Sequence, residues 1–256
     1  MIDPRAAIAA GAELDEGVSV GPFAVIGDGV QVGAGTWVGP HAVIQGPTVL
    51  GRDNRIFQFA SVGEAPQDKK YGGEPTRLEI GDRNVIRECA TVHRGTVQDA
   101  GVTRVGSDNL LMAYTHVAHD CTIGDHVILA NAASLGGHIT VGDWAILGGF
   151  AIVHQFCRIG AHCFCGMGSV ISMDVPPYVT VSGHPAAAYG INSEGLQRRG
   201  FAPDAVARIR QAYKVLYKSG LRLEEAIAAL QEQAAETPEL EPLVAFLRAS
   251  RRGIVR

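Results

Sequence analysis

Every sixth residue of this chain is aliphatic over most of its length. The positions are Ile2, Ile8, Leu14, Val20, Ile26, Val32, Val38, Ile44, Leu50, Ile56 and Val62. They resume at Ile80, Ile86 and Val92, and again at Val105, Leu111, Val117, Ile123, Leu129, Leu135, Val141, Leu147, Val153, Ile159, Cys165 and Ile171. Of these 26 anchors only Cys165 is not Val, Ile or Leu. Six is not a helical period, and simple strand alternation does not single out every sixth residue. A short strand followed by a corner, repeated, does. Three such units make a triangular coil of roughly 18 residues, and successive coils stack at about 4.8 Å. Anchors point inward. A small or β-branched residue four further on, as at Ala24, Thr36, Ala42, Ala133, Ala145 and Ala151, fills the narrow interior. Gly follows the anchor at Gly21, Gly27, Gly33, Gly39, Gly124, Gly142 and Gly160, where it is expected to supply permissive backbone at the corners.

This pattern resembles the hexapeptide-repeat family of left-handed parallel β-helices. The resemblance supplies the hand; the general rule for parallel crossovers would give the opposite one. The fold class is thus an all-β solenoid with an α-helical appendage. The solenoid is expected over 1–186, with loop insertions at 64–79 and 98–104, and a helical domain over 187–256. Insertions in a solenoid become loops on its face, often at the binding site. In the tail, Pro203-Asp204 opens a segment with Val206, Ile209, Tyr213, Leu216 and Tyr217 at helical spacing, closed by Gly220. A second helix is expected from Leu223 to about Ala235, and a third after Thr237-Pro238.

From Ser193 onward the chain carries a charge of +3, against −7 for the remainder, so the tail suits an acidic partner. The whole chain, at −4, does not read as a nucleic-acid binder. The five cysteines are odd in number and form no CxxC pair, which implies free thiols in a reducing compartment. Cys163-x-Cys165 reads as two small side chains in a narrow core rather than as metal ligands. The start lacks the apolar region of a secretory signal, and no stretch approaches the roughly 18 apolar residues of a membrane span. The expected location is the cytoplasm.

Residues 18 apart stack in one column. His119, Gly137 and Gln155 form one; Asn131, Gly149 and Met167 form another. Their anchors lie on different sides of the triangle, so one protomer does not place both columns on one face. A three-fold trimer sets one side of each prism against a different side of its neighbour, and the site is expected between subunits. His116, His119, His138 and His154 occupy adjoining coils around the first column. The remaining histidines, His41, His93, His126, His162 and His184, read as structural, with His93 the nearest to an exception.

Six motifs narrow the resemblance. They are Gln67-Asp68-Lys69-Lys70-Tyr71, Gly73-Glu74-Pro75-Thr76-Arg77, His93-Arg94-Gly95-Thr96, His116-Val117-Ala118-His119-Asp120-Cys121, Val153-His154-Gln155-Phe156 and the run from Asn192 to Phe201. Together they resemble the UDP-N-acetylglucosamine 3-O-acyltransferase family, which takes the first step of lipid A synthesis. The match spans essentially the whole chain.

The resemblance implies a (R)-3-hydroxyacyl group carried on the phosphopantetheine of acyl carrier protein, transferred to a sugar hydroxyl with no further cofactor and no metal. A neutral imidazole near pH 7 suits such an attack on a thioester. By resemblance His119 is the base, Asp120 orients or polarises its ring, and the Gly137 N–H holds the oxyanion. Gln67, Asp68 and Lys70 would contact sugar and acyl polar groups. His116, His138, His154 and Gln155 would line the sugar–phosphate pocket. Asn192, Glu194, Arg198 and Arg199 would hold the nucleotide, and Arg210 and Lys214 would meet the carrier protein. Family members differ at the position of Met167, where glycine opens the acyl groove and a bulkier residue shortens it. Residues 119 and 167 are about 2.7 coils apart, roughly 13 Å along the axis, which an extended chain of about ten carbons fills.

Two other readings of the same residues are weighed. A metal-dependent anhydrase on this prism would need His116, His119 and His138 as ligands. A non-catalytic scaffold would need none of them. The sister N-acyltransferase of the pathway is disfavoured by the run from Asn192 to Phe201.

Overall fold

A computed structural model describes all 256 residues. Short parallel strands, mostly of two residues, form a three-sided left-handed prism. Face 1 holds nine strands, from Ala7–Ile8 to Val170–Ile171. Face 2 holds eight, from Glu13–Leu14 to Arg158–Ile159. Face 3 holds ten, from Ser19–Val20 to the antiparallel pair Val179–Gly183 and Ala186–Ile191. That pair carries the sheet a few residues past the expected end at 186. Registers step by 18 residues wherever the coil is uninterrupted, as in Ser134↔Ile152 and Ile128↔Ile146.

The anchors fill the interior. From Val20 onward all of them are at least 97% buried, and the small residues at Ala24, Thr36, Ala42, Ala133, Ala145 and Ala151 are fully buried. Ile2, Ile8 and Leu14 are less covered, because they occupy the first coil, which has no coil beneath it. Four of the five cysteines are buried, and all five are free thiols. Burial raises Cys121 and Cys165 to about 12 and Cys157 to about 11, so these thiols are inert packing groups.

The corners correct the sequence reading. The bend lies three residues after most anchors, where φ is positive, and its occupants are mostly not glycine: Phe23, His41, Asp53, Tyr114, Asp120, His126, His138, Trp144, Phe156 and His162 all adopt it. Left-handed backbone is costly for such residues, by about 1–2 kcal/mol each. Columns of stacked rings help offset that cost. Phe23, His41 and Phe59 stack at 5.1 and 5.3 Å, and His126 lies 4.0 Å from Trp144. The glycine after the anchor has a different reason. A Cβ at Gly21, Gly33 or Gly142 would lie 2.6–2.7 Å from backbone of the next coil. Glycine is there for close approach, not for φ.

Both insertions leave the prism at the corner between faces 1 and 2, here corner 1/2. Part of each extends the sheet rather than looping out, because Ser61–Glu64, Arg77–Ile80 and Val102–Val105 are four-residue strands. Arg94 ties the first insertion down by donating to the Gly46 and Gly63 carbonyls at 2.7 and 2.9 Å and to the Tyr71 hydroxyl at 3.3 Å. Inside corner 2/3 runs a buried polar ladder. The Asn84 side-chain amide donates to Asn54 Oδ1 and to the Gly106 carbonyl, and its oxygen accepts the Asn109 N–H at 3.0 Å.

The tail is helical: α1 (Ser193–Arg198), α2 (Pro203–Lys218), α3 (Leu223–Ala234) and α4 (Glu241–Ala249). Thr237-Pro238 opens a short 3-10 turn, Pro238–Leu240, ahead of α4. A second core of Val206, Ile209, Leu216, Leu230, Leu243 and Leu247 joins these helices. The chain end returns to the prism. Asp174, 1% exposed, accepts the Arg158 N–H at 2.8 Å and the Ser250 hydroxyl at 2.7 Å.

Candidate active site

Corner 1/2 gathers the chemistry. His119 lies two residues after anchor Val117, just before the bend, and Asp120 occupies the bend with φ 59°. Left-handed backbone there turns the Asp120 carboxylate back onto its own neighbour. His119 Nδ1 lies 2.8 Å from Asp120 Oδ2. The carboxylate is almost fully buried and is held by Thr96, at the foot of the second insertion. It accepts the Thr96 N–H at 2.8 Å and the Thr96 hydroxyl at 2.6 Å, while the Asp120 N–H donates to Thr103 Oγ1 at 2.8 Å. The acceptor at Nδ1 puts the ring proton there and leaves the Nε2 lone pair free.

Gly137 sits one coil further on. A Cβ there would lie 2.6 Å from His119 Cε1 and 2.8 Å from Nε2, so the ring rests directly on the glycine. The Gly137 N–H has no acceptor within the chain. A free imidazole nitrogen and a free backbone donor thus face one open groove of about 470 Å³, lined by Gln67, His116, His119, Gly137, His154 and Gln155 among others.

The other histidines are oriented one by one. His116 Nδ1 bonds the Thr91 hydroxyl at 2.7 Å, and burial, with His119 as the smaller cause, lowers its pKa. His93, edge-on to His116 at 5.0 Å, is 97% buried, and burial holds it down at about 4. His138 stacks on Phe156 at 4.4 Å and meets His119 edge-on at 5.0 Å. It stands beside the groove rather than among the residues lining it. His154 Nδ1 donates to the Gln155 carbonyl at 3.1 Å. The donors that lie within 4.8 Å of one another are His119, Asp120 and His138, not the three histidines a metal-dependent anhydrase would require.

Other expected residues lie elsewhere in the protomer. Asp68 and Lys70 are on the first insertion, where Asp68 Oδ1 accepts the Lys70 N–H at 2.9 Å. Asn192 and Arg199 sit at corner 2/3. Asn192 caps α1 by accepting the Gly195 N–H at 3.1 Å and donates to the His162 carbonyl at 3.0 Å. Arg199 donates to His162 Nδ1 at 3.2 Å and lies over the Trp144 ring at 5.2 Å. Burial, with Arg199 second, holds His162 at about 4. His162 and Trp144 are therefore part of the Asn192–Arg199 cluster, which sequence reasoning missed. Their place at the bend, three after anchors Ile159 and Val141, was the available signal. Glu194 and Arg198 pair with each other at 3.2 Å on the exposed side of α1. Arg210 donates to Ser193 Oγ at 3.1 Å, and Lys214 flanks a shallow groove on α2 with Gln211 and Lys218. Met167 is 78% exposed at corner 3/1.

Comparison with known proteins places this geometry. A profile described as UDP-N-acetylglucosamine O-acyltransferase, domain 2, matches residues 174–255, and one for six bacterial transferase hexapeptide repeats matches residues 103–137. The chain is 61% identical over 255 residues to the acyl-[acyl-carrier-protein]--UDP-N-acetylglucosamine O-acyltransferase of Alkalilimnicola ehrlichii, and 57% over 255 residues to that of Halorhodospira halophila. Each alignment covers 100% of this chain and 99% of the relative. The crystal structure of the UDP-N-acetylglucosamine O-acyltransferase of Moraxella catarrhalis superposes with a TM-score of 0.98 at 45% identity, covering 100% of this chain and 99% of that one. With one fold end to end and identity far above what fold alone requires, the chain belongs to the UDP-N-acetylglucosamine O-acyltransferase family and is an acyltransferase.

Proposed function

We propose that this chain transfers a (R)-3-hydroxyacyl group from acyl carrier protein to the 3-hydroxyl of UDP-N-acetylglucosamine, the first step of lipid A biosynthesis, in the cytoplasm. The observation that carries the reading is the His119–Asp120 pair with Nε2 free, set against the unengaged Gly137 N–H. His119 Nε2 takes the proton of the sugar hydroxyl as its oxygen bonds to the thioester carbonyl carbon. The Gly137 N–H stabilises the resulting oxyanion. Collapse breaks the C–S bond, and the departing phosphopantetheine thiolate recovers the proton from His119. No acyl-enzyme is needed, and the buried cysteines are too basic and too inaccessible to form one.

The working unit is a trimer. His119 is at corner 1/2, Arg199 and Asn192 are at corner 2/3, and Met167 is at corner 3/1, so no single prism unites them. The outward side chains favour one packing. Face 3 presents Val85, Leu110, Ile128, Ile146 and Phe164, and face 1 presents Ile152 and Val170. Face 2 presents Glu13, Gln31, Glu79, Arg104, Thr122 and Arg158. Packing face 3 of one copy on face 1 of the next hides the apolar stripes and leaves the polar face in water. At the outer rim, corner 1/2 then meets the neighbouring copy's corner 2/3, which completes the sugar-nucleotide site with Asn192, Glu194, Arg198 and Arg199. Gln67, Asp68, Lys70, His116, His154 and Gln155 supply the other wall, with His138 beside it against His119. Met167 limits the acyl groove to about ten carbons, by the coil spacing. The carrier protein docks at Arg210 and Lys214, and the reaction takes no metal.

The test is mass spectrometry of products from UDP-N-acetylglucosamine and mixed 3-hydroxyacyl carrier proteins, with the wild type and His119→Ala. The expected wild-type product is a mono-O-acylated sugar nucleotide, resistant to chelator, and the trimeric variant makes at least a hundredfold less. Equal turnover by the variant removes His119 from its role.

A further inference from the structure

Thr96, just before the second insertion, and Thr103, within it, grip Asp120 from two sides, and the insertion carries one more carboxylate toward the site. Asp99 Oδ2 lies 2.9 Å from His138 Nδ1. The pair spans 39 residues of sequence, and its histidine is only 14% exposed. We propose that Asp99 is a positioning residue that locks the His138 ring against the catalytic His119.

The geometry gives Asp99 a specific task. His138 is on the bend, with φ 62°, so its backbone fixes where the ring begins but not which way it turns. Phe156, parallel to the ring at 9°, fixes its plane. A ring held only by stacking can still flip by a half-turn about χ2, which exchanges Nδ1 with Cδ2 and Nε2 with Cε1. Asp99 removes that freedom by accepting a proton from Nδ1 alone. Nε2 is then turned inward, 3.8 Å from Asp120 Oδ2, and the ring edge is held against His119. The groups facing His138 are Asp99 from the insertion, Asp120 and His119 from the preceding coil and Phe156 from the following one. One loop therefore sets both rings through two carboxylates, Asp120 on His119 and Asp99 on His138. Asp99 is itself half-exposed, so its effect is modest compared with that of Asp120.

This proposal rests on the acyl-transfer reading for its kinetic part only. Nitrogen-15 chemical shifts of the imidazole rings in the intact trimer report the His138 tautomer whether or not the enzyme turns over. In the wild type and in Asp99→Asn, which keeps an acceptor, the proton is expected on Nδ1. In Asp99→Ala, the His138 signals move to a mixture of tautomers. In the acyl-transfer assay Asp99→Ala lowers kcat/KM about tenfold, mainly through kcat, with the melting temperature unchanged, and Asp99→Asn stays within about threefold of wild type. Unchanged His138 shifts in Asp99→Ala overturn the proposal. So does a tautomer change without loss of kcat, and so does a kinetic loss without a tautomer change, because each separates Asp99 from His138 or His138 from turnover. A wild type with no acyl transfer sinks the functional reading and leaves the tautomer comparison to decide the positioning claim.

Discussion

Gly137→Ala tests the packing of the site with one added methyl group. The backbone at Gly137 is not left-handed, so alanine adopts it without strain. The new Cβ would stand 2.6 Å from His119 Cε1 and 2.8 Å from Nε2. Ordinary carbon contacts begin at about 3.5 Å, so the ring must withdraw by roughly 0.8 Å. Asp120 cannot follow, because the Thr96 N–H and hydroxyl fix its carboxylate. The 2.8 Å bond to Nδ1 is therefore stretched or bent, and Nε2 leaves its place over the groove. A displacement near 1 Å at the reacting atom costs about a hundredfold in kcat. The assay is initial rate against carrier-protein-bound 3-hydroxyacyl donor and UDP-N-acetylglucosamine, read by mass spectrometry. Size-exclusion with light scattering and a thermal melt accompany it. The expected variant is a trimer that melts within about 2 °C of wild type and has lost turnover. A folded variant with kcat/KM within about threefold of wild type would refute the reasoning, since it would mean that the ring does not rest on Gly137 when it works.

Three further outcomes follow from particular contacts. Asn84→Ala strands the Asn109 N–H and the Gly106 carbonyl inside the prism and should lower unfolding free energy by about 3 kcal/mol in a urea titration; a loss under about 1 kcal/mol would show that water enters the ladder. His93 and His162 are held near 4 by burial, against 6.5 when exposed, so only the unfolded chain takes up their protons as pH falls from 6.5 to 4. Stability should therefore be full above pH 6.5 and decline through that window, with a shallower decline in His93→Gln; identical acid limbs would remove His93 from the account. Met167→Gly should shift the preferred acyl chain from about ten carbons toward fourteen in a mixed-donor competition, and an unmoved product distribution would end the ruler argument.

The period of six was enough to fix the prism and its interior, though not the backbone of its corners. Val, Ile or Leu at every sixth position can be buried together only if three short strands close a coil, and that coil stacks residues 18 apart whatever their identity. The column joining His119 to Gly137 was legible for that reason. So was the separation of His119 from Met167, because anchors Val117 and Cys165 lie on different faces. The tail helices were legible from their own period and from Pro203 and Gly220.

Side-chain aim was not legible, because it depends on backbone conformation that the hexad does not encode. Adjacent residues on a strand point apart, yet His119 and Asp120 meet, since Asp120 sits on a left-handed bend. The glycine after each anchor marks where one coil presses on the next, a fact about neighbours 18 residues away. Asp99 is an unremarkable loop aspartate in sequence. Only the closure of the second insertion on Thr96, Thr103 and Asp120 carries it to His138. Repetition along the chain determined the scaffold, because burial depends on period. The tertiary structure alone decided which side chains face one another, because that depends on where the regular coil is bent and interrupted.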